Sequence, residues 1–133
     1  MAHSSLQKYR QVKVSSVAEM TPYEQVGLIF TTIIGKLTAA KGAIDRQHIA
    51  TKGTAISECI TLFGALQEAL DMNQEGGIAA NLYELYDYCK RQLLDANQSN
   101  NKDTLDEVIR LVKEIKEGWD SIPLEERIPK AEQ

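Results

Sequence analysis

Apolar residues recur three or four positions apart along most of the chain, and the clearest run extends from Gly76 to Ile122. Ile78, Leu82, Leu85, Tyr86, Cys89, Leu93 and Ala96 make one face of a helix. A polar break from Asn97 to Lys102 interrupts the period. It restarts with Leu105, Val108, Ile109, Val112, Ile115, Trp119 and Ile122. The pattern predicts a helical hairpin whose two stripes need a partner surface from the rest of the chain.

Two earlier segments supply it. Thr21-Pro22-Tyr23-Glu24 reads as a helix start, with Thr21 as cap, Pro22 at the first helical position and Glu24 closing a capping box. Val26, Ile29, Phe30, Ile33, Leu37, Ala40 and Ile44 form the apolar face of the helix that follows. After a short turn at Asp45 and Arg46, a second helix is predicted from about Gln47 to Leu70. Its stripe is Ile49, Ile56, Cys59, Ile60, Phe63, Leu66 and Leu70. Gly27, Gly35, Gly42, Gly53 and Gly64 fall inside these two helices. Each lowers intrinsic helix stability by about 1 kcal/mol, which tertiary packing must offset. Gly76-Gly77 punctuates the next loop, and Pro123 stops the last helix.

The predicted fold is all-α: an antiparallel up-down four-helix bundle, with connections of roughly three to seven residues. A short N-terminal helical or extended segment is expected to pack on it. We expect one domain over residues 1–133. Residues 1–19 would be the N-terminal cap segment, 21–122 the bundle and 123–133 a flexible tail. Leu6, Tyr9 and Val12, at three-residue steps, suit a weak helix that must dock to persist.

Composition narrows the function more than the fold. The net charge of −4 comes without a basic block or an RNA-stacking pattern, which argues against nucleic acid. No apolar run follows a basic N-terminus and no membrane span is expected, so the reading is cytosolic. The two cysteines, Cys59 and Cys89, have no metal or redox spacing and read as small buried hydrophobes.

Catalytic and cofactor chemistry finds little footing. His3 and His48 have no spacing to a carboxylate or cysteine that suggests a nucleophile pair. No Glu-x-x-His motif and no Gly-rich phosphate loop occurs. Asp95, Asn97, Ser99, Asn101, Asp103 and Asp106 match the ligand spacing of a calcium loop. Asn100 stands where that loop needs Gly, and Asp106 where it needs Glu. The plainer expectation is a polar turn in which Asp103 caps the last helix. Of the tyrosines on the third helix, Tyr86 is expected in the core, Tyr83 near its edge and Tyr88 elsewhere. Trp119 is expected to anchor one end of the core.

Taken together, these residues resemble the flagellin-specific export chaperones of bacterial flagella, the FliS family. The resemblance starts at Tyr9-Arg10-Gln11-Val12 and continues through Thr21-Pro22-Tyr23-Glu24 and Ala40-Lys41-Gly42-Ala43-Ile44. Its most specific part is Gly76-Gly77-Ile78-Ala79-Ala80-Asn81-Leu82. Leu85-Tyr86-Asp87-Tyr88, Leu93-Leu94-Asp95-Ala96-Asn97, Leu105-Asp106-Glu107-Val108 and Trp119 complete it. Phe30, Thr31 and Thr32 stand where the family commonly has a tyrosine, an acidic residue and a glycine.

The resemblance implies a non-enzymatic, cytosolic bundle without a cofactor. It implies one-to-one binding of the disordered C-terminal region of flagellin, which is kept from polymerising and held competent for type III flagellar export. Other flagellar regulatory or export components are possible partners. Ile56, Ile60 and Phe63 on the second helix, with Tyr83 on the third, are the expected client groove. Leu6, Tyr9 and Val12 are the expected displaceable cover or partner contact. The rival reading is a homodimeric helical adaptor that regulates another flagellar or secretion component. A metal-dependent bundle enzyme is a third class, for which ligand motifs are missing. An open apolar groove favours the chaperone, and a closed core with a self-complementary patch favours the dimer.

Overall fold

Thr21 takes an extended backbone, and its hydroxyl accepts the Glu24 amide at 3.1 Å. This starts α1 (Pro22–Asp45) at the predicted place. The computed structural model describes residues 19–73 and 75–126. Three further helices follow: α2 (Ile49–Glu68), α3 (Ile78–Ser99) and α4 (Lys102–Asp120). Among the described residues there is no strand. Beyond Pro123, where a frayed tail is expected, Leu124–Glu126 form a single 3-10 turn.

Each helix packs on two neighbours, so α1, α2, α3 and α4 close a ring in chain order. Cross-helix bonds show that successive helices run antiparallel. Lys52 near the start of α2 reaches Asn97 near the end of α3, and Tyr23 at the start of α1 reaches Trp119 at the end of α4. The core is the predicted set of stripes: Phe30, Ile33, Leu37 and Ala40 from α1; Ile56, Cys59, Phe63 and Leu66 from α2; Tyr86, Cys89, Leu93 and Ala96 from α3; Leu105, Val108, Ile109 and Val112 from α4. Phe30 packs edge-on against Trp119, with ring centroids 6.2 Å apart, so its ring sits in the interior where a tyrosine hydroxyl would need a partner. By length and composition α1 is apolar enough to cross a membrane, but Phe30, Ile33, Leu37, Ala40 and Ala43 on it are buried in the bundle.

The helix ends depart from expectation in instructive ways. Ile49 and Ile78 continue the stripes in sequence but are exposed, because each is the first residue of its helix and overhangs the last core layer. The polar break is only two residues long. Asn97, Gln98 and Ser99 remain helical, Asn100 stops α3 in the left-handed region at φ 59°, and Asn101 caps α4 by accepting the Asp103 amide at 2.9 Å. Asn101 therefore takes the capping role expected of Asp103, which lies inside the first turn of α4. Because Asp95, Asn97 and Ser99 are held in α3, they do not form the loop a calcium template requires.

Candidate functional site

The groups that carry nucleophilic chemistry are locked away. Cys59 and Cys89 are free, fully buried thiols, each pushed up to about 12 by burial. A thiol held protonated in this way is neither nucleophile nor metal ligand. Burial also pushes the Tyr86 hydroxyl up to about 12. The Tyr88 hydroxyl donates to Glu107 Oε1 at 2.5 Å across α3 and α4, and that bond is the main cause of its raised pKa. His48 is exposed at the α2 N-terminus and makes no side-chain cap. Among the described residues, no group of three or more His, Cys, Asp or Glu gathers as a metal site.

The feature that stands out is the seam between α2 and α3. Two polar residues of α2, Lys52 and Gln67, are buried at 6% and 7% exposure, and both reach α3. Lys52 Nζ donates to the Asn97 carbonyl at 2.7 Å and to Asn100 Oδ1 at 2.5 Å. It meets the negative end of α3 and satisfies a last-turn carbonyl. At the opposite end of the seam, Gln67 Nε2 donates to the Tyr83 carbonyl at 3.1 Å and to Asp87 Oδ1 at 2.8 Å. Gln67 Oε1 accepts from Lys90 Nζ at 2.8 Å. A register slip between α2 and α3 would leave these buried groups without partners, at about 1–3 kcal/mol each.

These latches identify the flanks that face each other. On α2 the flank carrying Gln67 also carries Ile49, Gly53, Ile60 and Gly64, spaced three, four or seven residues apart. On α3 the flank is Tyr83, Asp87, Lys90, Leu94 and Asn97. Leu94 is 60% exposed and Tyr83 40%, whereas Ile60 is half-buried against the core. A Cβ built on Gly64 would meet nothing within 4 Å, and one on Gly53 would only reach Asn97 Oδ1 at 4.0 Å. The outer flanks of the seam thus carry exposed apolar side chains beside two positions without side chains.

The expected groove residues divide over this seam. Ile60 and Tyr83 lie on its accessible flanks. Ile56 and Phe63 are at 0% exposure and belong to the core beneath, Phe63 packing on Tyr86 with ring centroids 5.9 Å apart. Those two are a floor, out of reach of a surface ligand. Leu94, Lys52 and Gln67 were not singled out from sequence. The signal for the last two was present, since each is a polar residue at a stripe position, Lys52 four residues before Ile56 and Gln67 four after Phe63. Leu6, Tyr9 and Val12 lie outside the described residues.

Comparison with known proteins agrees on one family. The family model described as flagellar protein FliS matches residues 5–126. The flagellar secretion chaperone FliSB of Pseudomonas aeruginosa is 38% identical over 122 residues, covering 91% of this chain and 97% of the relative. The flagellar secretion chaperone FliS of Vibrio cholerae is 35% identical over 122 residues, covering 91% and 90%. That of Salmonella typhimurium is 35% identical over 121 residues, covering 90% of each.

Proposed function

The chain belongs to the FliS family of flagellar secretion chaperones, and from that premise we propose that it binds the disordered C-terminal region of flagellin along the α2–α3 seam. Binding one client per chain in the cytosol keeps flagellin from polymerising early and competent for type III flagellar export. The relatives are named as secretion chaperones and not as enzymes, and among the described residues the buried thiols and the exposed His48 form no reactive pair.

The observation that carries this reading is the exposed apolar rim of Leu94 and Tyr83 beside the cleared positions at Gly53 and Gly64. A disordered client loses conformational freedom on binding, at a cost of about 2–5 kcal/mol or more. An amphipathic client helix laid in an interhelical groove offsets that cost through apolar burial. The missing side chains at Gly53 and Gly64 let a client backbone approach α2 closely. The core beneath is closed, so the client docks on a formed bundle and need not open it. Residues 1–133 act as one unit in this proposal, with Leu6, Tyr9 and Val12 covering the seam until the client displaces them.

The test is titration with a peptide of the last ~40 residues of the host's flagellin, by calorimetry with circular dichroism alongside. The expected result is saturable one-to-one binding with a negative heat-capacity change and a gain of helix. Absence of binding at roughly 50 μM, a concentration at which even a weak complex of about −6 kcal/mol begins to populate, would reject the proposal.

A further inference from the structure

A cleft of about 350 Å³ opens at the end of the bundle where α1 turns into α2 and α3 stops. Ile44, His48, Ile49, Lys52 and Asn100 are among its lining residues. Lys52 is the unusual member. Lysine is almost never this deeply buried unless it is paired with an opposite charge. Here both its partners among the described residues, the Asn97 carbonyl and Asn100 Oδ1, are neutral. An ammonium has three N–H donors, so one remains beyond these two bonds. Asp45, at the same end of the bundle, is already bound to Lys102 at 2.6 Å. Residues 1–18 contain no Asp or Glu, so that stretch has no side-chain carboxylate to offer.

The cleft also lies in line with the seam. Ile49 and Asn97 end its two flanks, and the Lys52 latch marks the same place. Its volume is at the low end for small-ligand sites, about 300–1,000 Å³, which suits a chain end better than a passing helix. We propose that this cleft takes the client's terminal α-carboxylate on Lys52, with the aliphatic part of its last residues against Ile44 and Ile49. The inference rests on the α2–α3 reading above and adds direction to it: the client's C-terminus points to the Lys52 end of the seam. Carboxylate capture of this kind is an established mode of peptide recognition.

The experiment compares two forms of the same ~40-residue flagellin C-terminal peptide. One carries a free carboxylate and the other a C-terminal amide. Both are titrated into the wild-type chain and into Lys52→Met, whose fold is checked by circular dichroism. In the wild type, amidation should weaken binding roughly tenfold, the scale of one hydrogen bond to a charged group. In Lys52→Met the two peptides should bind alike, at the level of the amide on wild type. Equal affinity of both peptides for the wild type would overturn this inference and leave the seam reading standing. So would an equal loss for both peptides in Lys52→Met, which would assign Lys52 to an internal acidic side chain. Failure of both peptides to bind the wild type would remove both readings. The amide comparison on the wild type holds even if the variant folds poorly.

Discussion

Tyr23 and Trp119 hold each other by two reciprocal hydrogen bonds across 96 residues of sequence. The Tyr23 hydroxyl donates to the Trp119 carbonyl at 3.0 Å, and Trp119 Nε1 donates to the Tyr23 carbonyl at 3.0 Å. Their rings stack at 5.2 Å with an interplanar angle of 11°. The pair clips the first turn of α1 to the last turn of α4 and closes the ring of helices. Trp119→Phe keeps an aromatic ring but loses the donor, and should cost about 1–2 kcal/mol. Trp119→Ala should cost about 3 kcal/mol, since it also removes the contact with Phe30. Urea unfolding of both variants measures this. Equal stability of wild type and Trp119→Phe would mean the indole hydrogen bond contributes nothing.

The α1–α2 turn places a residue with a side chain where glycine is usual. Gln47 sits at φ 60°, with its amide on the Ile44 carbonyl at 3.1 Å and the His48 amide on the Ala43 carbonyl at 2.9 Å. This is the Schellman pattern, with the left-handed residue just past the helix end. Gln47→Gly should therefore stabilise the chain by about 1 kcal/mol. Thermal unfolding should show a higher midpoint, and a lower one would place the Gln47 side chain in a contact that outweighs its backbone strain.

Which residue caps α4 is also a measurable difference. Asn101→Ala removes the side-chain acceptor of the Asp103 amide and should cost about 1 kcal/mol. Asp103→Ala removes only a first-turn carboxylate, worth about 0.3–1 kcal/mol through the helix dipole. Chemical denaturation of the two variants should rank Asn101→Ala as the more destabilised. The reverse order would return the cap to Asp103.

The buried thiols set an alkaline limit. Cys59 and Cys89 rise from 9.0 to about 12 in the folded chain, and Tyr86 from 10.0 to about 12, each mainly through burial. Below their unfolded values these groups are protonated in both states and contribute no pH dependence. Above those values the unfolded chain releases protons first, so stability falls as pH rises toward 12. The urea midpoint should drop from about pH 9 toward pH 12, and Cys59→Ala/Cys89→Ala should flatten part of that slope. Identical slopes for the two proteins would assign the alkaline loss to other groups. Thiol reagents should modify either cysteine only at the rate of opening.

Helical period made most of the fold legible, because a bundle core is the sum of its stripes. Phe30, Ile33, Leu66, Leu93 and Val108 needed nothing more than spacing to be placed inside. Period says which face is buried but not where the bundle ends, which is why Ile49 and Ile78 were over-assigned. It also says nothing about which flank meets which neighbour. Ile56 and Phe63 lie at the centre of the α2 stripe, so they are covered from all sides. Groove residues come from stripe edges, as Ile60 and Tyr83 do, and choosing among edges requires the pairing of α2 with α3. Lys52 and Gln67 encode that pairing, yet a polar residue at a stripe position shows only that a partner exists.

The last prediction separates stability from binding with two glycines. Gly35 and Gly64 both lie within helices, and a Cβ on either would meet nothing within 4 Å. Replacement by alanine should therefore stabilise each helix by up to about 1 kcal/mol, with no clash to subtract. The two differ in what they face. Gly35 is on the exposed side of α1, whereas Gly64 is on the flank of α2 that carries Ile60 and Gln67. If a client backbone lies close to α2, Gly64→Ala should weaken flagellin-peptide binding while raising the unfolding midpoint, and Gly64→Leu should weaken it further. Gly35→Ala should raise the midpoint and leave binding unchanged. Unaltered affinity in Gly64→Leu would show that the client does not approach α2 at this point, and would move the docking surface off the α2–α3 seam.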